Sequence, residues 1–192
     1  MQLVLASASP RRRELLGLIT PDFEVCTADV EESGVSAESP KQLAEQLAQL
    51  KCRAVSGMMP QKTVIGCDTV VDVDGEVFGK PRDRAHAREM LRRLSGRSHW
   101  VHTGVCVRKG ECETLFAEST RVEFAALSDA EIEAYLDTPD PYDKAGAYGI
   151  QSGAARFVKG IEGCYFNVVG LPLVQLYKEL KENGVNIMDF WK

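Results

Sequence analysis

Leu3-Val4-Leu5-Ala6-Ser7-Ala8-Ser9-Pro10-Arg11-Arg12-Arg13-Glu14-Leu15-Leu16 joins an apolar run to a basic turn and a second apolar run. Leu3 to Ala6 is short and wholly apolar, the pattern of a buried strand. Leu15, Leu16, Leu18 and Ile19 then recur along one side of a short helix. Ser9 before Pro10 is a good helix start, a hydroxyl cap followed by a residue with preset φ and no amide to leave unpaired. A strand feeding a helix N-terminus presents free N–H groups and a positive dipole end, which favour anions. Two hydroxyls and two guanidinium groups there, from Ser7, Ser9, Arg11 and Arg12, make a cradle for phosphate oxygens, which Arg can bind bidentately. The alternative is a solvated basic first turn in which the arginines oppose the helix dipole.

The rest of the chain sets bounds on that reading. With 192 residues it suits one domain, read here as 1–185 followed by a tail over 186–192, and it can bury a sizeable core. A formal charge of −5 argues against a broad nucleic-acid-binding face while leaving room for a local basic pocket. No apolar run approaches the ~20 residues needed to cross a bilayer. The first strand has no basic segment before it and no small-residue cleavage site after it, so it does not read as a signal peptide, and the expected location is cytoplasmic. Six cysteines are scattered without a C-x-x-C pair and are expected to be reduced, mostly as small buried hydrophobes. His99 and His102 fall on opposite faces of a predicted strand and are poorly placed to chelate together.

Further along, Phe23 to Cys26 reads as a short strand. Ser39-Pro40-Lys41-Gln42 opens a helix that runs to about Gly57 with Leu43, Leu47, Leu50 and Val55 on its apolar face. Thr63 to Val73 is β-rich and reaches the strong hairpin turn Asp74-Gly75. Asp83 begins a charged helix stopped by Gly96. Ser98–Arg108 and Glu113–Phe124 read as two long strands around Lys109-Gly110, and Ser128-Asp129-Ala130-Glu131 is a capping box. Arg156–Lys159 and Tyr165–Val169 read as a second hairpin about Glu162-Gly163, and Pro172 starts the last helix. The pattern is mixed α/β with hairpins.

No Walker A, G-x-G-x-x-G, H-E-x-x-H or G-x-S-x-G sequence is present. What remains is a set of charged residues at element ends. Asp68 reads as lying where an apolar strand stops, either a catalytic carboxylate or a turn cap. Glu31 and Glu32 either join it in holding Mg²⁺, which takes one or two carboxylates and keeps waters, or are merely solvated. Lys51 and Lys80 are either phosphate partners or surface lysines. Gln151 carries an amide suited to a base edge or to capping backbone in a glycine-rich loop. Carboxylates with Arg and Lys, and without a nucleophile–His pairing, suit metal-assisted hydrolysis of a phosphoanhydride. A helix N-terminus contributes only about 0.3–1 kcal/mol per anionic contact, so Arg, Lys and metal carry most of the neutralisation.

The opening stretch Ser7 to Leu16 resembles the signature of the Maf family of nucleotide pyrophosphatases. The resemblance continues in order through Val30-Glu31-Glu32, Leu47–Val55, Gly66-Cys67-Asp68-Thr69-Val70-Val71, Gly79-Lys80-Pro81-Arg82-Asp83, Met90–Gly96, Asp143–Gln151 and Val169-Gly170-Leu171-Pro172-Leu173. It implies a mixed α/β fold, an elongated mixed sheet flanked by helices, in two lobes around a cleft and similar to inosine triphosphate pyrophosphatases. It also implies hydrolysis of a nucleoside triphosphate between the α and β phosphates with a divalent cation, Mg²⁺ or Mn²⁺. Gly149-Ile150-Gln151 looks like the branch acting on dTTP and UTP, with modified pyrimidine nucleotides as a further substrate class. Carried over by resemblance, Asp68 is the proton acceptor, helped by Lys51 and Lys80. Ser7, Arg11, Arg12, Thr69 and Gln151 bind substrate, and Glu31 with Asp68 holds the metal. A homodimer is a family expectation. Ser152-Gly153 departs from the branch pattern after Gln151, as does Cys67 from a common alanine. The competing readings are a non-catalytic nucleotide- or partner-binding regulator of septum formation, and a 7-methyl-GTP pyrophosphatase.

Overall fold

The computed structural model describes residues 2–185 and 187. In chain order the elements are β1 (Leu3–Ala6), α1 (Pro10–Gly17), β2 (Glu24–Val25), α2 (Pro40–Met58), β3 (Thr63–Val73), β4 (Glu76–Phe78) and α3 (Arg84–Leu94). They continue as β5 (Ser98–Lys109), β6 (Cys112–Phe124), α4 (Asp129–Leu136), β7 (Val158–Glu162), α5 (Tyr165–Val169) and α6 (Leu173–Glu182). The strands form one mixed sheet in the order β2-β1-β3-β5-β6-β7, with β4 also paired to β3. β1 runs parallel to β2 and β3, and the remaining pairs are antiparallel.

The sheet has a notch in it, and the notch makes the cleft. β1 accompanies β3 only as far as Ala6 opposite Gly66, and β4 meets the same edge only from Val71 opposite Phe78 onward. Between them Cys67 to Val70 pair with β5 alone. β4 reaches that edge through the Asp74-Gly75 turn, where both residues have positive φ (56° and 86°), as a two-residue hairpin loop requires.

β3 and β5 run through both lobes. On one side of the notch Leu5, Ile65 and Val107 pack with Leu16 of α1 and Leu176 and Leu180 of α6. On the other, Val71, Val101 and Val122 pack with Leu91 and Leu94 of α3 and Ile132 and Leu136 of α4. The two-lobed mixed α/β architecture is the one expected from the sequence. Helix α2 lies close across the opposite face because the strands there carry glycines. A Cβ on Gly66 would sit 2.3 Å from the Ala48 carbonyl oxygen, and one on Gly104 would sit 2.2 Å from that of Ala44.

The second hairpin is corrected. Arg156 and Phe157 belong to a 3-10 turn over Gly153–Phe157, and Val158–Glu162 forms β7 on β6. Tyr165–Val169 is helical. Its β-branched and aromatic composition favours a strand, but such propensity yields to tertiary demands. Here the demand comes from Asn167, fully buried, whose amide donates to the Val101 carbonyl and to Thr120 Oγ1, each at 2.9 Å. The proposed tail lies outside the described residues except for Ile187, which is buried in the core with Leu180.

Candidate active site

A cleft of about 810 Å³ opens over the notch. Ser7, Arg11, Arg12, Lys51, Asp68, Thr69, Lys80 and Gln151 all line it, although they come from five separate segments of the chain. Glu31 does not. It is exposed, and the Ser33 hydroxyl, with the Ser33 N–H donating to it at 3.0 Å, holds its carboxyl below the usual range. Glu32 turns inward in its place.

Asp68 is not at a strand end but within β3, and the notch rather than a terminus opens it to ligand. Alternation places Gly66 and Asp68 on the face covered by α2. The glycine lets the helix settle, and Lys51 of α2 thereby reaches Asp68 Oδ1 with Nζ at 2.5 Å. The same ammonium lies 3.0 Å from Glu32 Oε1. Two carboxylates therefore converge on one cation, with Asp68 the less exposed at 14% against 48% for Glu32.

Thr69 points to the other face, where Arg12 ties three segments together. Its Nε donates to the Gly170 carbonyl at 2.9 Å, NH1 to Ser7 Oγ at 3.2 Å and NH2 to Thr69 Oγ1 at 2.9 Å. Thr69 Oγ1 lies 2.9 Å from Thr103 Oγ1, and Thr103 donates to the Asn167 carbonyl at 2.9 Å. With the Thr103 proton committed there, Thr69 donates to Thr103 and accepts from Arg12, so the chain of donors has one direction. Gly170 has φ of 123°, a conformation that L side chains rarely adopt, and this turn aims its carbonyl at Arg12.

At the mouth, Arg11 NH1 meets Asp143 Oδ2 at 3.2 Å across the lobes, and Asp143 Oδ1 meets Lys144 Nζ at 2.5 Å. These two cations hold the Asp143 carboxyl below the ordinary range against the opposing effect of its burial. Lys80 and Gln151, both exposed, form no side-chain hydrogen bond or ion pair among the described residues. Thr27 and Asp29 also line the cleft without a side-chain partner among the described residues, so Lys80 is its uncommitted cation and Gln151 its uncommitted amide.

Sequence reasoning missed Thr103, Asp143 and Lys144 as parts of this site. Nothing local marks Thr103, which is buried within a strand. Asp143-Lys144 carried a signal, being a charged pair at the head of a glycine-rich loop. His99 and His102 do lie on opposite faces of β5. His99 bonds Tyr148, while His102 sits between Ser119 and Asp72. All six cysteines are free thiols.

No cluster of three or more His, Cys, Asp or Glu side chains suited to a metal exists among the described residues. A hard divalent cation held largely by a triphosphate needs only one or two protein carboxylates, and Asp68 with Glu32, already gathered around a cation, meets that requirement.

The family model described as Maf-like protein matches residues 2–183. This chain belongs to the Maf family. Among similar Maf relatives, a protein of Symbiobacterium thermophilum named dTTP/UTP pyrophosphatase is 52% identical over 186 residues, covering 97% of this chain and 96% of the relative. A Koribacter versatilis protein of the same name is 50% identical, covering 96% of each chain. Among solved structures, the Ham1 protein of Staphylococcus aureus aligns with TM-score 0.59 at 18% identity, covering 95% of this Maf chain and all of that one. A HAM1 protein from Coxiella burnetii gives 0.52 at 16%. The Maf fold is thus shared with Ham1 proteins. Among the described residues no helix is long and apolar enough to cross a membrane.

Proposed function

We propose that this Maf protein hydrolyses dTTP and UTP between the α and β phosphates, releasing the nucleoside monophosphate and pyrophosphate. The observation that supports this most is the Asp68–Lys51–Glu32 cluster on the floor of a cleft whose walls carry Arg11, Arg12, Lys80 and Lys144. A water oxygen attacks the α-phosphorus and the bond to the bridging oxygen of the pyrophosphate breaks. Asp68 takes the proton of that water, and pyrophosphate leaves bearing the negative charge. Lys51 fixes the Asp68 carboxylate by its 2.5 Å contact, and Lys80 is free to bond the leaving group. Arg11 and the Ser7–Ser9 turn hold the tail at the start of α1. Gln151 presents both a donor and an acceptor to the base edge.

A divalent ion, Mg²⁺ or Mn²⁺, held by Asp68 and Glu32 would offset charge on the triphosphate. Pyrimidine preference, and activity on modified pyrimidines, belong to the Gln151 loop. The reaction is placed in the cytoplasm, and a homodimer is part of the same reading. A panel of dTTP, UTP, GTP and 7-methyl-GTP with Mg²⁺ or Mn²⁺, read as pyrophosphate, tests the assignment. Release from dTTP and UTP is expected. Turnover of 7-methyl-GTP instead reassigns the substrate, and binding without turnover leaves a regulator.

A further inference from the structure

We infer that Ser152 and Asp140 are positioning residues for the substrate base, acting through the loop that carries Gln151. The inference rests on the proposed function, because it concerns how that site chooses a base. Asp140 is the hub of a cluster behind the cleft wall, with its side chain 17% exposed. Its Oδ2 accepts from Ser152 Oγ at 2.6 Å and from Tyr135 OH at 2.7 Å. Its Oδ1 lies 2.9 Å from Lys144 Nζ, and its backbone carbonyl accepts from that same ammonium at 2.7 Å. These bonds together hold the Asp140 carboxyl below its ordinary range against desolvation.

Gln151 stands between two pinned neighbours. On one side, Ile150 is half-buried and packs against the cores of both lobes. On the other, Ser152 is held at three points: Oγ on Asp140, N–H on the Gly149 carbonyl at 3.2 Å, and carbonyl on the Ala155 N–H at 2.9 Å. Gly149 fits against this anchor only because it lacks a side chain. A Cβ there would lie 2.5 Å from Ser152 Oγ and 2.7 Å from Lys144 Cε. With both flanks fixed and its own amide uncommitted, Gln151 enters the cleft with its backbone set before a ligand arrives. Ordering entropy is then already spent, which is how preorganisation improves binding and selectivity. Lys144 also bonds Asp143, which bonds Arg11. The base loop is therefore linked to the turn that holds the phosphates.

The test compares Ser152→Ala, Ser152→Thr and Ser152→Val with wild type on dTTP, UTP and GTP, and measures inhibition by inorganic tripolyphosphate, which has no base. Loss of one hydrogen bond to a charged group corresponds to about tenfold or more. In Ser152→Ala, KM for dTTP and UTP is expected to rise by about tenfold with kcat within about twofold, narrowing the preference over GTP. Tripolyphosphate inhibition stays at its wild-type value. Ser152→Thr restores selectivity, whereas Ser152→Val, of the same shape without the hydroxyl, does not. That pair keeps the hydroxyl's effect separate from any change in folding. Selectivity unchanged in both Ser152→Ala and Ser152→Val overturns the inference alone. A uniform fall in kcat on all three nucleotides, unrestored by Ser152→Thr, assigns the cluster a structural role and also overturns it. A wild type that turns over neither dTTP nor UTP overturns the proposed function and the inference with it.

Discussion

Asp68 and Glu32 share one ammonium, and removing either has a different expected cost. Asp68→Asn keeps the shape and the fold and removes the proton acceptor. Its kcat for dTTP should fall by about 10²–10⁴-fold, the usual contribution of general-base catalysis. Turnover within a few-fold of wild type would take Asp68 out of that role. Glu32→Gln should raise the Mg²⁺ or Mn²⁺ concentration needed for half-maximal rate, whereas Glu31→Gln should leave it where it is. The reverse pattern would return the metal to the residue favoured by sequence. From sequence the two glutamates are indistinguishable, since adjacent loop residues carry no periodicity to say which faces inward. Lys51 and Gln151 were open candidates from their own side-chain chemistry, Thr69 entered only through resemblance, and Thr103 was not legible at all. A separate residue-scale prediction concerns His99, which is 2% exposed and whose pKa burial pushes down to about 4. An unfolded chain takes up that proton near its ordinary value of 6.5, before the folded one does. The stabilisation is therefore complete above about pH 6.5 and is lost as pH falls toward about 4, by about 1.4 kcal/mol per pH unit. Urea unfolding across that range should show a shallower decline for His99→Phe than for wild type. Parallel curves would remove His99 as the cause.

At the scale of elements, the approach of α2 to β3 and β5 does the most to shape the site. Two glycines admit the helix, and Lys51 reaches Asp68 because of them. Gly66→Ala and Gly104→Ala should each overpack that contact and cost about 1–3 kcal/mol. Both should also lower kcat by moving Lys51 away from Asp68. Denaturant melts beside steady-state rates check the pair of effects, and a stable, fully active Gly66→Ala would refute the account of the helix. Helix ends were legible from sequence because capping chemistry is local. Ser39, Asp83 and Ser128 each cap the helix they were expected to open. The long β5–β6 hairpin and the Asp74-Gly75 turn were legible for the same reason. Tyr165–Val169 was not, because a short apolar run does not declare its period and its conformation is set by Asn167 reaching strands β5 and β6.

For the whole molecule, the cleft arises from strand lengths rather than from any motif. β1 stops opposite Gly66, β4 covers the same edge only from Val71 onward, and the gap leaves Asp68 and Thr69 open between two cores. Sequence gives strand lengths only approximately, so the notch could not be read from it, and Asp68 was placed at a strand end when β3 continues past it to Val73. The two lobes, by contrast, were legible through resemblance, and the Ham1 structures share the fold. Chelation of divalent cations should abolish turnover, and added Mg²⁺ or Mn²⁺ should restore it. Undiminished activity in chelator would remove the metal from the mechanism. Water attacks the α-phosphorus above Asp68 in the proposed reaction. Hydrolysis of dTTP in ¹⁸O-labelled water, with products resolved by mass, locates the atom attacked. The label is predicted in the monophosphate with none in the pyrophosphate, while label in pyrophosphate, or release of orthophosphate, would contradict it.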